Sequence, residues 1–254
     1  MHSNQVSFLR HGAFFGPEDA SNKTFCIIGA GATGSFAALF AAKMGWHKFQ
    51  IWDLDLVESH NLPNQTYNVS HIGMKKVDAL EKVLLDFNPM VQVEKNDYFF
   101  DSNNQEHVAS LEDCVFIAVD SLDTRKSIYS SLHFHPFVDI IFETRMGFTH
   151  AEMNITSTTD VNKINQITEM LKRDSEVEES ACNERIITTL TAIVSSTLVH
   201  KLCQYASFER TQLKTTASSS LEGEVTNRTI QNAICGKTIF DFSSNLNIYN
   251  HNSN

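Results

Sequence analysis

The chain is short of positive charge: 20 Lys and Arg stand against 30 Asp and Glu, a formal net charge of −10. With an isoelectric point near 5.5, this balance argues against general affinity for phosphate backbones or anionic lipid, so neither nucleic acid nor a membrane is an expected partner. No apolar run approaches the roughly 20 residues that a membrane span needs. The opening Met1-His2-Ser3-Asn4-Gln5 lacks the basic-then-apolar pattern of a secretory signal, and a cytoplasmic location is expected. Cysteine is sparse and unpatterned. Cys26, Cys114, Cys182, Cys203 and Cys235 are odd in number and widely spaced, which excludes a disulfide framework. No pair has C-x-x-C spacing, so no structural zinc is expected. Internal repeats are also missing.

What is present fits one large α/β domain, or one with a small appendage: 254 residues, 42% hydrophobic and 20% charged. The most informative stretch is Gly29-Ala30-Gly31-Ala32-Thr33-Gly34. It follows the apolar run Phe25-Cys26-Ile27-Ile28 and is answered by Asp53 at the end of Phe49-Gln50-Ile51-Trp52. A strand feeding a Gly-rich turn and then a helix aims backbone N–H groups at a phosphate, and an acid about 20 residues on can hold ribose hydroxyls. The same fingerprint serves NAD, FAD and ATP, so by itself it fixes an architecture and leaves the chemistry open.

Residues 1–22 read as a polar lead-in whose Phe8, Phe14 and Phe15 pack against the domain. Strands are expected at 25–28, 48–53, 91–93, 114–119 and 137–142, with 148–155 as an antiparallel partner. The Ala-rich stretch 35–44 reads as a helix. The spacing of Val77, Leu80, Val83, Leu84 and Phe87 predicts another over 71–87, stopped by Asn88-Pro89. Between them, 54–69 reads as a long polar loop over the nucleotide. Helices at 160–173 and at about 183–205 follow, separated by the acidic stretch 176–179. Beyond Ser207 the chain is polar, with one candidate edge strand at 238–242 and no order expected at 251–254. Strands alternating with helices mean a Rossmann-like, doubly wound, mostly parallel sheet with antiparallel additions toward the C-terminus, binding ligand beyond the carboxyl ends of the strands.

Four polar clusters fall at those strand ends or in the loop above them: Asp53-Leu54-Asp55, Asn61-Leu62-Pro63-Asn64-Gln65, Ile72-Gly73-Met74-Lys75-Lys76 and Asp120-Ser121-Leu122-Asp123-Thr124-Arg125. In order and spacing they resemble the ThiF/MoeB/HesA family, adenylyltransferases related to the ubiquitin-activating enzymes. That family's running pattern is G-x-G-x-x-G, D-x-D-x-V-x-x-x-N-L-x-R-Q, I-G-x-x-K and D-N-x-x-x-R. The resemblance is specific over 25–147 and looser over 182–205. It implies an ATP-binding adenylation domain at 23–207 followed by a polar extension at 208–254. It also implies ATP and Mg²⁺ as cofactors, a small ubiquitin-like or sulfur-carrier protein or peptide as the carboxylate partner, and a homodimer or a pairing with a related subunit.

Adenylation brings a carboxylate against the α-phosphate of ATP, and cations must lower the repulsion between two anions. The resemblance assigns that task to Lys76 and Mg²⁺ ligation to Asp120. Asp53 is assigned to the ribose, with Asp55 beside it. Gly29, Gly31, Gly34, Asn61 and Gln65 fall to the phosphates, and Arg125 to the nucleotide edge or to anchoring the Asp120 loop. The sequence departs from the pattern where Asn64 replaces an arginine and Ser121 an asparagine, and Arg10 is the sole arginine ahead of the Gly-rich turn.

Plainer readings stand beside these. The glycines can be a purely structural turn, Lys76 a solvated lysine on a helix face, and Asp120 a helix N-cap. Asp55 and Asp123 read as surface or capping groups, and Arg145, near the site edge, as half of an ordinary salt bridge. Cys182 precedes the long apolar helix, where family members that transfer to sulfur carry a cysteine. Arg185 would favour its thiolate and Glu176, Glu178 and Glu179 would oppose it. The functional expectation is adenylation of a carboxylate. Its rivals are an NAD(P)-dependent oxidoreductase on the same turn, and a nucleotide-binding scaffold that lost turnover with the arginine at position 64.

Overall fold

The computed structural model describes residues 6–147, 149–171, 188–218, 234–241 and 247–252. One eight-stranded sheet runs in the order β3-β2-β1-β4-β5-β6-β7-β8. Its first five strands are β1 (Phe25–Ile28), β2 (Lys48–Trp52), β3 (Gln92–Asn96), β4 (Asp113–Ile117) and β5 (Val138–Met146). All their pairings are parallel. The next three, β6 (His150–Ser157), β7 (Gly236–Asp241) and β8 (Asn247–Asn252), are added antiparallel. β1 is buried at every residue, as a central strand covered on both faces must be.

Helices α1 (Ala32–Met44), α2 (Lys76–Phe87) and α6 (Thr188–Ser218) close one core with Phe25, Ile27 and Phe116 of the sheet. The short α3 (Gln105–Ala109) with α4 (Leu122–Ser131) and α5 (Val161–Met170) closes the other, around Ile28, Val115 and Ile141. α1 packs closely on α6. It ends at Gly45, whose φ of +113° lets its N–H reach back to the carbonyls of Ala41 and Ala42. The lead-in folds over this end of α1. Phe15 stacks on Trp46, Phe14 stacks on His200 of α6, and Phe8 lies against Gly45.

Several expectations need correction. The helix expected from 71 starts at Lys76, because 69–71 form a separate 3-10 turn capped by Asn68. The third strand extends to Asn96, and α3 has too little apolar periodicity to be read from sequence. The 238–242 piece is no edge: β7 lies between β6 and β8, so β8 is the sheet's last strand. His251 and Asn252, expected to lack order, pair with Lys237 and Gly236. α6 continues to Ser218, well past the expected end near 205. Among the described residues, no helix is long and apolar enough to cross a membrane.

Candidate functional site

The strand order reverses between β1 and β4, and the carboxyl ends of these two strands and β2 frame the site. Gly29 takes φ +104°, and a Cβ there would stand 2.7 Å from the Ala118 carbonyl oxygen, so only glycine lets the chain leaving β4 lie against the turn. At Gly34 a Cβ would meet the Gly29 oxygen at 1.9 Å, so this glycine sets how closely α1 approaches β1. Gly31 differs. Among the described residues a Cβ there meets nothing within 4 Å, and Gly31, as the N-cap of α1, brings no side-chain hydrogen bond to the helix N-terminus. The turn therefore keeps open space beside uncapped backbone N–H groups, which fits an anion such as a nucleotide phosphate.

Asp53 leaves β2 into this space with its side chain 8% exposed. Its Oδ2 accepts the Ala30 N–H at 2.7 Å, and its Oδ1 accepts the Asp55 N–H at 2.9 Å. Burial pushes its carboxyl above the usual range. The ammonium of Lys76 and the N–H groups of Asp55 and Ala30 oppose that rise. Each oxygen retains a lone pair, so ribose hydroxyls can still donate to it.

Lys76 is the first residue of α2 and only 7% exposed, which sets aside the solvated reading. Its Nζ lies 2.8 Å from Asp55 Oδ2 and 4.0 Å from Asp53 Oδ1, and its own N–H donates to the Asp55 carbonyl. The half-buried Lys75, by contrast, donates to the Leu54 carbonyl at 3.4 Å in an exposed bond.

Between Asp53 and Lys76 the chain forms two 3-10 turns and one isolated bridge, Leu56 to Lys75. Asn61 is buried, and its Oδ1 accepts the Glu58 N–H, leaving the NH₂ end of the amide as the donor. Asn64 and Gln65 are half-buried, and among the described residues neither side-chain oxygen has a hydrogen-bond partner. Two contacts clamp this stretch. Thr66 N–H donates to Ser35 Oγ of α1 at 3.2 Å, and Thr188 Oγ1, at the start of α6, donates to the Pro63 carbonyl.

Asp120 is exposed just beyond β4, and its Oδ1 accepts the Ser121 N–H at 2.9 Å. The N-cap of α4 is not Asp120 but Ser121, whose Oγ accepts the Thr124 N–H at 3.2 Å. This accounts for the departure at 121: serine caps a helix as well as asparagine does, and the Asp120 carboxylate stays at the site rim. Arg125 anchors the helix. Its Nη1 donates to Glu143 Oε1 at 2.5 Å and to the Thr144 carbonyl at 2.6 Å, so the guanidinium is committed to β5.

Sequence reasoning passed over Glu143, which is fully buried and also accepts from Asn154 Nδ2 at 2.8 Å. Its signal was available: an acid directly after the apolar run Ile140-Ile141-Phe142 of a central strand must be paired if it is buried. Arg145 bridges Glu143 at 3.3 Å and Glu152 at 3.1 Å, and Lys237 of β7 completes the ladder on Glu152 at 2.8 Å. Arg10 lies in the segment packed on the C-terminal end of α1, while the Gly-rich turn is at the other end, about 20 Å away for a helix of this length. Cys182 lies outside the described residues, as do Arg185 and the three glutamates near it.

The chain is 30% identical over 97 residues to ubiquitin-like modifier-activating enzyme 5 of Caenorhabditis briggsae, covering 38% of this chain and 22% of that protein. It is 30% identical over 105 residues to Adenylyltransferase and sulfurtransferase MOCS3 of Drosophila virilis, covering 41% and 23%. It thus spans less than a quarter of the length of either relative. The fold matches Escherichia coli MccB, solved with AMPCPP and MccA, with a TM-score of 0.66 at 13% identity over 93% of this chain and 65% of that one. The model of the ThiF family matches residues 3–237. With that match spanning nearly all of the sequence, the chain belongs to the ThiF family.

Proposed function

We propose that the chain uses ATP to adenylate the C-terminal carboxylate of a small ubiquitin-like or sulfur-carrier protein or peptide, releasing pyrophosphate. One observation carries this reading. A buried lysine ammonium stands beside the acid that grips the Gly-rich turn, 4.0 Å from Asp53 Oδ1 and 2.8 Å from Asp55 Oδ2. Hydride transfer between dinucleotide and substrate has no need of a cation there, whereas attack of one anion on another does. The family, and the structural neighbour solved with AMPCPP, support the choice of nucleotide.

In this reading a carboxylate oxygen attacks the α-phosphorus, the bond to the oxygen bridging the β-phosphorus breaks, and pyrophosphate leaves in line. Lys76 exchanges its hold on Asp55 for the α-phosphate and the incoming carboxylate. Asp53 accepts the ribose hydroxyls, and the amide NH₂ groups of Asn61 and Gln65 donate to phosphate oxygens. Asp120, exposed at the rim and oxygen-bearing, would hold Mg²⁺, whose charge offsets that of the phosphates. Asn64 supplies no positive charge, which leaves the leaving group less stabilised than an arginine would. Cys182 is needed only if the acyl group later passes to sulfur.

The test is exchange of labelled pyrophosphate into ATP in the presence of the carboxylate partner. Exchange in the wild type, nearly abolished by Lys76→Ala and by Asp120→Ala, is expected. ATP binding without exchange, with a verified partner present, would instead favour the scaffold.

A further inference from the structure

Tyr67 closes the loop above the site and is 4% exposed. Its hydroxyl donates to the Ala30 carbonyl at 2.7 Å and stands 3.4 Å from the Lys76 carbonyl, while its ring meets His71 edge-on. Ala30 is the middle residue of the Gly-rich turn, and its N–H is held by Asp53 at 2.7 Å. Both peptide groups flanking Ala30 are thus fixed by buried side chains from other segments.

That fixation has a direction. No peptide bond among the described residues is cis, so the carbonyl of Ala30 and the N–H of Gly31 point opposite ways. With the carbonyl drawn to Tyr67, the Gly31 N–H is turned from the tyrosine, at the residue where, among the described residues, a Cβ would meet nothing within 4 Å. We propose that Tyr67 is a positioning residue: by holding the Ala30 carbonyl it orients the Gly31 N–H toward the phosphates of the bound nucleotide. Burial drives its hydroxyl well above the usual tyrosine range, so it remains a donor throughout the working pH range.

This inference rests on the nucleotide reading above, and the probes separate the two. Titration calorimetry with ATP, AMP and adenosine is run on the wild type, Tyr67→Phe and Gly31→Ala, with thermal unfolding alongside. Phenylalanine keeps the ring against His71, and among the described residues alanine at position 31 has space, so both variants are expected to fold, which the unfolding curves check. Tyr67→Phe is expected to weaken ATP and AMP by about three- to tenfold while adenosine stays within about twofold, because one hydrogen bond is lost and only phosphate-bearing ligands use its consequence. Gly31→Ala is expected to weaken the same two ligands directly, by placing a methyl group where they sit. Equal weakening of adenosine by Tyr67→Phe would overturn the inference, leaving the tyrosine a plain loop support. So would unchanged ATP and AMP binding in Tyr67→Phe beside a weakened Gly31→Ala. A wild type that binds neither ATP nor AMP would overturn the nucleotide reading itself.

Discussion

The two halves of the sheet use charge differently. At the strand ends of the parallel half, Asp53, Asp55 and Lys76 stand in the mouth of the candidate site, and Asp120 is at its rim. From β5 outward, where the sheet turns antiparallel, charged groups lie within it: Glu143 of β5 holds Arg125, Asn154 and Arg145, and Glu152 of β6 joins Arg145 to Lys237. The first set is partly committed and free to exchange partners with a ligand. The second, centred on a fully buried carboxylate, locks β5, β6, β7 and α4 together. On the adenylation reading the first set serves chemistry, while the second maintains the frame that holds the Asp120 loop in place.

The sharpest way to break this contrast is at Glu143. Glu143→Ala leaves Arg125 buried without its partner and is expected to cost about 3–5 kcal/mol of stability, read from urea unfolding. A loss below about 1 kcal/mol would show that the ladder is not structural. Lys76→Ala is the counterpart in the other half. It is expected to lower pyrophosphate exchange by about 100- to 1,000-fold, yet to cost only about 1 kcal/mol of stability, since Asp53 keeps two N–H donors and Asp55 is in water. Comparable losses of stability in the two variants would erase the distinction.

Smaller effects sharpen it. Asn64→Arg adds a cation beside the leaving group and is expected to raise the exchange rate about tenfold with little change in unfolding. Lys237→Ala removes the outer end of the ladder, where both partners keep some solvent contact, and is expected to cost no more than about 1 kcal/mol.

The same division explains what could be read from sequence. Parallel strands buried on both faces appear as unbroken apolar runs, and turns that only glycine can make leave fixed spacings, so β1, α1, Asp53 and the loop motifs were legible. The start of α2 and the C-terminal end of α6 were not, because Asn68 caps a separate turn before the first, and polar Ser and Thr residues continue the second. The place of β7 inside the sheet depended on β8, an Asn-rich strand with no apolar alternation. Arg125 reads from its motif as either a nucleotide contact or an anchor of the Asp120 loop, and its bond to Glu143, a partner 18 residues away in sequence, favours the anchor. Tyr67 carries no motif at all, and its bond to Ala30 exists only through the return of the loop over the turn.

Ligand choice tests most directly whether the open mouth of the parallel half is built for adenylation. Wild-type protein is titrated with ATP and Mg²⁺, and separately with NADH, at equal concentrations while thermal unfolding is followed. Native-state binding raises stability by RT ln(1 + [L]/Kd). The expected result is a clear stabilisation by ATP with Mg²⁺ that exceeds any given by NADH and shrinks in Lys76→Ala. Stabilisation by NADH alone would contradict it and make the protein an oxidoreductase on the same fold.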